Sequence, residues 1–446
     1  MPEVITTQLP DPDAMRAVII LSTAIIPMAI ATAQLIARPL SRVDLGALIL
    51  TTSWNLVFLF AGNQVAVALG WWSFNEAGPE LGGIPVVLIF GWAVLWGPVA
   101  TQLQLRPTLT IALLLGIDLL AMPLLDPVVS LGPSWLVGEA ALLAFVAYPG
   151  LLGAEWMGNP DRVIAGAWLQ VVLFAGILLW AIPLLATAAV GQQLTLDVPT
   201  WAYGAVVVVI GVPSLPALIA VRDFAANNGT PWPWDSTDRP VLSGPYRYVR
   251  SPMQASGGVL LIAITFLYGQ WPIALAAVAA MLFSQVFSLI EHDDLQDRFG
   301  SPWVAVTRDQ KQWIPNWRPH PAADRATVWI NQGCDTCNPI ATFLTEQNAI
   351  NLEIRWAHEH DEALTRIRYE RADGTTFDGI TAVGACLEHL NLAWAFVGWL
   401  LRLPVAWRFW QLIADGVGFA PRPAVDLADN HAVERESRYV RTTLET

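Results

Sequence analysis

Long runs of apolar residues recur along the first 290 or so residues of the chain. A run of about 20 apolar residues lets an α-helix cross the roughly 30 Å hydrocarbon core of a bilayer. The pattern therefore predicts a polytopic α-helical membrane protein. Its predicted transmembrane helices, about nine in number, are residues 17–37, 43–70, 84–104, 108–125, 135–153, 163–190, 201–221, 255–269 and 272–290.

The composition supports a membrane protein and excludes one class of partner. Hydrophobic residues make up 54% of the chain and charged residues only 14%, against about 25% charged residues in ordinary soluble domains. The formal net charge is -13. Because nucleic-acid binding needs clustered basic residues, no nucleic-acid partner is expected. The expected partner is the lipid bilayer.

Arginines occupy every second loop between the predicted helices. Since cytoplasmic loops carry the excess of basic residues, this alternation predicts a multi-pass protein of the cell membrane. The N-terminus would lie outside and the C-terminal domain in the cytoplasm. The arginines that support this orientation are Arg38, Arg42, Arg106, Arg162, Arg222, Arg239, Arg247 and Arg250.

The pattern changes after Pro315, where charges become frequent and apolar runs shorten. Alternating patterns predict strands 326–331 and 350–356, and a helix between them has Pro339 in its first turn. Two further strands, 366–370 and 376–380, are predicted on either side of the turn Asp373-Gly374. Helical patterns follow to about Phe419. A strand–helix–strand unit, a hairpin and then a helix is the order of a thioredoxin-like domain. The sequence therefore predicts a C-terminal α/β thioredoxin-like soluble domain.

Two carboxylates, Asp118 and Glu139, fall inside predicted transmembrane helices. A carboxylate inside a membrane is costly, so it is a candidate functional residue. The alternative is a protonated or hydrogen-bonded contact between helices.

Polar side chains flank the hairpin that the eighth and ninth helices are predicted to form. Residues 244–254 read GPYRYVRSPMQ, and the hairpin returns Glu291 to the same membrane face. Arg250 and Glu291 suit a zwitterionic cofactor, because a guanidinium binds a carboxylate and a carboxylate binds an ammonium group. Alternatively, the arginines only anchor the loop at the lipid headgroups.

Residues 200–318 resemble the integral-membrane methyltransferases related to isoprenylcysteine carboxyl methyltransferase and the phospholipid N-methyltransferases. That family has Gly-Pro-Tyr and Arg-His-Pro-x-Tyr before a helical hairpin, then Glu-Glu-x-x-Leu and Phe-Gly. The resemblance implies S-adenosylmethionine as cofactor and a lipid, lipidated or small-molecule methyl acceptor. The cofactor-binding residues it implies are Tyr246, Arg250, Ser251, Pro252 and Glu291. The chain departs from the pattern at Ser251, Gln254 and His292, which replace histidine, tyrosine and glutamate.

Cys334 and Cys337 form a Cys-x-x-Cys pair between a predicted strand and a predicted helix. Because a helix N-terminus stabilises a thiolate, Cys334 is the predicted catalytic attacking thiol, exposed at the start of the helix. Cys337 is the predicted resolving thiol, one turn inside the helix and more shielded. Two other interpretations are inert buried cysteines and a zinc site completed by His358 and His360 on one strand face. Cys386 is predicted to lie in the core.

From about Thr327 to Arg422 the chain resembles the DCC family of thiol-disulfide oxidoreductases, which are thioredoxin-like. The shared features are a strand leading into Cys-x-x-Cys, Asp373-Gly374, residues 379–383, Leu403-Pro404 and residues 413–415. The family's aspartate before the first cysteine is replaced by Asn331. The resemblance implies a redox-active pair and a thiol or disulfide protein partner.

These patterns predict a membrane protein that combines a methyltransferase-like helical domain with a cytoplasmic thiol-disulfide oxidoreductase domain. The alternatives are an oxidoreductase tethered by a non-catalytic methyltransferase-like scaffold, and a Cys2His2 metal-binding module. The predicted domains are N-terminal transmembrane helices of unknown role (1–154), the methyltransferase-like domain (155–318), a linker (319–325), the thioredoxin-like domain (326–422) and a polar tail (423–446).

Overall fold

The computed structural model describes residues 12–75, 78–232, 237–332 and 337–422, without the side chains of residues 12, 287–294 and 302. The predicted polar tail lies outside the described residues. The chain divides into two compact units. Unit 1 comprises Met1–Asp197, Phe224–Asp238 and Ile264–Ala276, and unit 2 comprises Val198–Asp223, Arg239–Ala263 and Ala277–Thr446.

Unit 1 is a bundle of six apolar helices. Its second helix begins with a capping box, in which the side chains of Ser41 and Asp44 each accept a hydrogen bond from the other's backbone N–H. Large buried side chains such as Trp54 and Trp96 fill the bundle core. The helices are α1 (Pro12–Ala37), α2 (Arg42–Ala68), α3 (Val86–Gln102), α4 (Pro107–Leu125), α5 (Trp135–Trp156) and α6 (Pro160–Ala188).

Short strands form in the segments that connect these helices. Strand β1 (Trp72–Phe74) pairs antiparallel with β4 (Val129–Leu131), and β2 (Glu80–Leu81) pairs with β3 (Ile84–Pro85). The indole N–H of buried Trp72 donates to Oδ1 of Asn63, 2.9 Å away. The sequence pattern did not predict these strands, because two or three residues are too few to show an alternation.

Three helices of unit 1 contain a wide π-helical turn. The turns are Leu95–Val99 in α3, Leu143–Ala147 in α5 and Ile177–Ala181 in α6. Each turn has a proline in it or just after it. Pro98 lies within the turn of α3, and Pro149 and Pro183 lie two residues after the turns of α5 and α6. Because proline has no N–H to donate, it removes an ordinary helical hydrogen bond at each place.

The apolar helices identify a membrane protein, but they do not confirm a count of nine spans. Among the described residues, six helices are long and apolar enough to cross a bilayer: α1, α2, α4, α5, α6 and α7 (Thr200–Ala225). The other three predicted spans are also helices, but their apolar stretches have only 10–17 residues. That is at or below the lower end of the usual range of about 17–25 residues. Nine spans therefore remain a prediction.

Unit 2 contains most of α7, α8 (Pro252–Tyr268) and α9 (Trp271–Thr307). Helix α8 ends at Tyr268, and Gly269 follows with a φ of +64° before α9 begins. Within unit 2 these two helices touch, since a Cβ on Gly258 would lie 3.0 Å from Cε of Met281. Helix α9 is interrupted at Gly300, whose backbone is not helical.

The C-terminal part of unit 2 is a four-stranded sheet with helices. The strands are β5 (Ala326–Ile330), β6 (Leu352–Trp356), β7 (Arg368–Arg371) and β8 (Thr376–Asp378), in the order β6-β5-β7-β8. Strands β5 and β6 are parallel, and the other two pairs are antiparallel. The helices are α10 (Asn338–Glu346), α11 (Ile380–Leu387), α12 (Leu392–Leu401) and α13 (Ala406–Ala414).

This order is the predicted one: strand, helix, strand, hairpin, then helices. The strand boundaries differ from the prediction by one or two residues; for example, β6 begins at Leu352 rather than residue 350. The third strand begins at Arg368 rather than residue 366, and the fourth ends at Asp378 because Gly379, with a φ of +62°, begins the turn into α11. Val328 and Tyr369 are fully buried neighbours in the sheet, and they lie in the core of this domain.

Candidate functional site

The Gly-Pro-Tyr segment forms a short 3₁₀ turn, Gly244–Arg247, before α8. Gly244 has a φ of +58°, which favours glycine, and a Cβ there would overlap Oδ2 of Asp223. The same Asp223 oxygen accepts a hydrogen bond from Oγ of Ser243 at 3.1 Å. The turn is therefore held tightly against the end of α7.

Arg247 and Tyr248 attach this turn to the C-terminal domain. Arg247 is 0% exposed, and its Nη1 donates to the carbonyl of Asp324 at 2.8 Å. The Tyr248 hydroxyl donates to the carbonyl of Glu388 at 2.9 Å, and its ring meets Trp399 edge-on. These two motif residues thus make structural contacts and are not available to a ligand.

The predicted cofactor residues Tyr246, Arg250 and Ser251 are half-buried, whereas Pro252 is buried and begins α8. Nη2 of Arg250 donates to Oε1 of Gln312 at 3.2 Å. Among the residues that the structure describes, no carboxylate forms a salt bridge with Arg250. Burial lowers the pKa of its guanidinium from the ordinary value.

Gln254, Gln312 and Trp313 form a polar cluster beside Arg250. Oε1 of Gln254 accepts hydrogen bonds from Nε1 of Trp313 at 3.0 Å and from Nε2 of Gln312 at 3.3 Å. Backbone hydrogen bonds to Lys311 and Gln312 fix Arg250 and Ser251. Gln312 was missed in the sequence because it lies about 60 residues from its partners and carries no motif.

Glu291 lies within α9, but its side chain and that of His292 are outside the described residues. A pairing of Glu291 with the same ligand as Arg250 therefore remains a prediction. Both residues belong to unit 2, and α8 and α9 pack together in that unit.

A buried cluster of charged side chains lies behind the Gly-Pro-Tyr turn, and the sequence did not reveal it. Asp223 at the end of α7 pairs with Arg222 at 3.1 Å, Arg371 at 3.5 Å and Arg402 at 3.7 Å. Arg402 also pairs with Glu388. The guanidinium groups of Arg222, Arg371 and Arg402 all lie within 5.5 Å of the centre of the Phe377 ring. We call this set of six side chains the arginine cluster.

His389 is buried beside this cluster, in surroundings that disfavour the charged imidazolium. Burial, followed by the charge of Arg247, lowers the pKa of His389 well below its ordinary value. Its Nδ1 donates to the carbonyl of Ile350 at 2.6 Å, and its Nε2 accepts from the Tyr369 hydroxyl at 2.9 Å. These contacts tie the sheet to the segment between α11 and α12.

Cys337 lies at the N-terminal end of α10, is 6% exposed and is disulfide-bonded. It is the residue that caps the helix, whereas the sequence predicted it one turn inside. Cys334 lies outside the described residues, so its predicted exposure and its place at the helix start are not tested. Cys386 is a free thiol in the core, as predicted, and burial raises its pKa.

The predicted metal ligands His358 and His360 do not lie on one strand face. Strand β6 ends at Trp356, and residues 357–359 form a 3₁₀ turn. The backbone N–H of Glu362 donates to Nδ1 of His360, and Nε2 of His360 bonds to Glu370 at 3.0 Å. Within the described parts of the chain, no three His, Cys, Asp or Glu side chains are grouped as metal ligands.

Several of the residues on which the resemblance to the DCC family depends make structural contacts. Oε1 of Gln411 accepts the N–H of Ile380 at 2.8 Å, and a Cβ on Gly379 would overlap that oxygen. Asp415 forms a two-pronged ion pair with Arg366 at 2.6 and 2.9 Å, and this hydrogen bonding lowers the pKa of Asp415. These contacts hold α13 against the start of α11 and the segment before β7.

Comparison with known proteins identifies one part of the chain. No curated protein and no solved structure matches it. Residues 200–301, which include α7, the Gly-Pro-Tyr turn, α8 and most of α9, match the family model described as phospholipid methyltransferase. That segment is therefore a methyltransferase-like membrane domain.

Proposed function

We propose that residues 200–318 bind S-adenosylmethionine at the membrane edge and transfer its methyl group to a lipid, lipidated or small-molecule acceptor. The observation that carries the proposal is the half-buried guanidinium of Arg250. It follows a motif turn that is fixed on both sides, and no described carboxylate neutralises it. Such a group suits an anionic ligand, because a charge-assisted hydrogen bond is about twice as strong as a neutral one.

The residues of this site can be given specific roles. Arg250 would hold the cofactor carboxylate, and Gln312 and Gln254 would hold Arg250 in place. Glu291 would hold the ammonium group, and the hydroxyls of Tyr246 and Ser251 would supply further hydrogen bonds. S-adenosylmethionine itself would supply an activated methyl group. Because α8 starts at Pro252, next to this site, an acceptor could approach from the lipid.

Binding of S-adenosylmethionine to the solubilised full-length protein tests the proposal. Arg250→Ala is expected to weaken binding about tenfold or more, since a charge-assisted contact contributes about 1.5–3 kcal/mol. Glu291→Gln should also weaken it. Isothermal titration calorimetry would measure each affinity. The matched control is Arg308→Ala, which removes an exposed arginine near the end of α9 and should bind like the wild type.

Two outcomes would contradict this assignment. Wild-type protein that binds no S-adenosylmethionine at millimolar concentration would leave the methyltransferase-like domain as a scaffold. Equal affinity in the wild type and Arg250→Ala would remove Arg250 from the site.

We infer a second activity for residues 326–422, which we propose to be a thioredoxin-like domain that exchanges thiols and disulfides. The disulfide of Cys337 at the N-terminal end of α10 supports this, as does the strand–helix–strand and hairpin order. A Cys334 thiolate would attack a partner disulfide and release one partner thiolate. The Cys337 thiolate would then attack Cys334 in the mixed disulfide and release the second partner thiolate, so the pair is oxidised by two electrons and the partner is reduced.

Cysteine labelling tests the second activity. After mild reduction, alkylation at pH 7 should label Cys334 first, because a helix N-terminus favours its thiolate. Cys337→Ser should trap mixed disulfides with the partner, since the resolving thiol is gone. Cys386 is an internal control: it is buried and should react only on unfolding. Equal, slow labelling of all three cysteines would indicate inert thiols, and stoichiometric zinc lost in His358→Ala would indicate a metal site.

We also propose that the N-terminus is outside and the C-terminal domain is cytoplasmic. The support is the alternation of arginine-bearing and arginine-free loops. A reporter fused after Arg422 should be cytoplasmic, and one inserted near Glu76 should be external. Two reporters on the same side would overturn this topology.

A further inference from the structure

Two carboxyl groups lie side by side inside the helix bundle of unit 1, and neither belongs to the sites described above. Asp118 in α4 is 0% exposed and Glu139 in α5 is 2% exposed. Each is a hydrogen-bonding neighbour of the other. Among the described residues, the titratable groups that interact with Asp118 and Glu139 are these two carboxyl groups themselves. No described basic side chain faces either carboxyl group.

Two ionised carboxylates cannot form a hydrogen bond, because neither has a hydrogen to donate. Oδ1 and Oδ2 of Asp118 and Oε1 of Glu139 are buried and accept no well-formed hydrogen bond, although the indoles of Trp92 and Trp96 lie next to Asp118. A buried charge without a partner is costly in an apolar medium, and two like charges side by side are worse. A single proton on one carboxyl group removes a charge and supplies the missing donor.

A small cavity adjoins Glu139, one member of this pair. It has a volume of about 30 Å³, and its walls include Glu139 and Trp96 among mostly apolar side chains. This is the volume open to the centre of a water molecule, and one water needs at least about 10–15 Å³ of it. The cavity therefore has room for one or two water molecules. Trp96 is 1% exposed and its indole N–H has no acceptor, although the indole lies next to Asp118. The cavity thus offers both a donor and an acceptor to a water molecule.

We propose that Asp118 and Glu139 form a proton-binding site within the membrane, which holds a proton between the two carboxyl groups and exchanges it through water in the cavity. The proton comes from hydronium: an O–H bond forms on one carboxylate, water is released, and the new O–H donates to the other carboxylate. A metal cation fits less well, because hard cations need about six oxygen ligands and these walls are mainly apolar.

Infrared spectroscopy of the full-length protein at pH 7 tests the proposal. The wild type should show the C=O stretch of a protonated, buried carboxyl group. The double variant Asp118→Asn with Glu139→Gln should lose that band, because both side chains keep their shape but neither is an acid. Glu155→Gln is the matched control: it removes an exposed carboxylate from the same helix, α5, and should keep the band.

Other outcomes would overturn the proposal. Identical spectra for the wild type and the double variant would show that no proton is held there. Stabilisation of the wild type by Na⁺ or K⁺ that the double variant lacks would show a cation site instead. If the double variant does not fold, Asp118→Asn and Glu139→Gln can be measured singly. Each should reduce the band, and an unchanged band in both would reject the site.

Discussion

Replacing Arg402 with methionine is expected to destabilise the C-terminal domain by about 3–5 kcal/mol. Arg402 and Glu388 are both fully buried and form an ion pair, and Arg402 also lies 3.7 Å from Asp223. Methionine has a similar length but no charge, so Glu388 would be left as a buried, uncompensated carboxylate. The loss of stability can be measured by protease treatment of the solubilised full-length protein at increasing urea concentrations. The urea concentration at which the C-terminal domain becomes susceptible should fall in the variant.

A double variant separates the lost charge from the lost packing. Oε2 of Glu388 and Nε of Arg402 have no hydrogen-bond partner, so the pair is incompletely satisfied. Replacing both members, as Arg402→Met with Glu388→Gln, should therefore recover much of the stability. Arg325→Met is the control, because Arg325 is exposed and should change stability by less than about 0.5 kcal/mol. A single Arg402→Met variant as stable as this control would contradict the expectation.

Gly244→Ala is expected to have the second-largest effect on stability, through backbone strain and through overlap of the new Cβ with Asp223. Alanine at a φ of +58° is strained, at a cost of about 1–3 kcal/mol. Its Cβ would also displace the Asp223 carboxylate, which binds Ser243 and three arginines. Loss of a hydrogen bond to a buried charge costs about 1.5–3 kcal/mol more.

Gly269→Ala provides the matched comparison for this prediction. Gly269 also has a positive φ, of +64°, but no atom lies within 4 Å of the position that its Cβ would take. Both variants share the strain and only Gly244→Ala has the overlap. The difference in their thermal unfolding midpoints therefore measures the displacement of Asp223. Equal midpoints would show that the turn can move away from α7 without cost.

The apolar pattern predicted the helices well because burial in lipid requires long uninterrupted hydrophobic runs. It was equally informative for strands β5 and β6, whose residues alternate. It also predicted α3, α8 and α9 as spans, but the apolar stretches of these helices have only 10–17 residues, at or below the lower end of the usual range. The short strand pairs β1–β4 and β2–β3 were missed, because each depends on a partner rather than on a pattern of its own.

The candidate sites were predicted where a local motif exists or, for Asp118 and Glu139, where a carboxylate interrupts an apolar run. Arg250, Ser251 and Cys337 belong to short motifs, and the structure places the first two beside each other at the start of α8. The arginine cluster was invisible because charged residues in a sequence normally indicate a solvated surface. Asp223 and Arg402 are 179 positions apart in the sequence, and only the folded chain shows that they pair.

The π-helical turns have a consequence for how this chain should be aligned with homologous sequences. Such a turn holds one more residue than the α-helical turn it replaces, so everything beyond it is rotated by about 100° about the helix axis. In α5 the turn Leu143–Ala147 begins four residues after Glu139, and it sets which residues after it face the bundle core. A homologue with a regular helix there would need a one-residue gap within residues 143–147. Without that gap, the positions from there to Trp156 would be matched to positions rotated by about 100° about the helix axis.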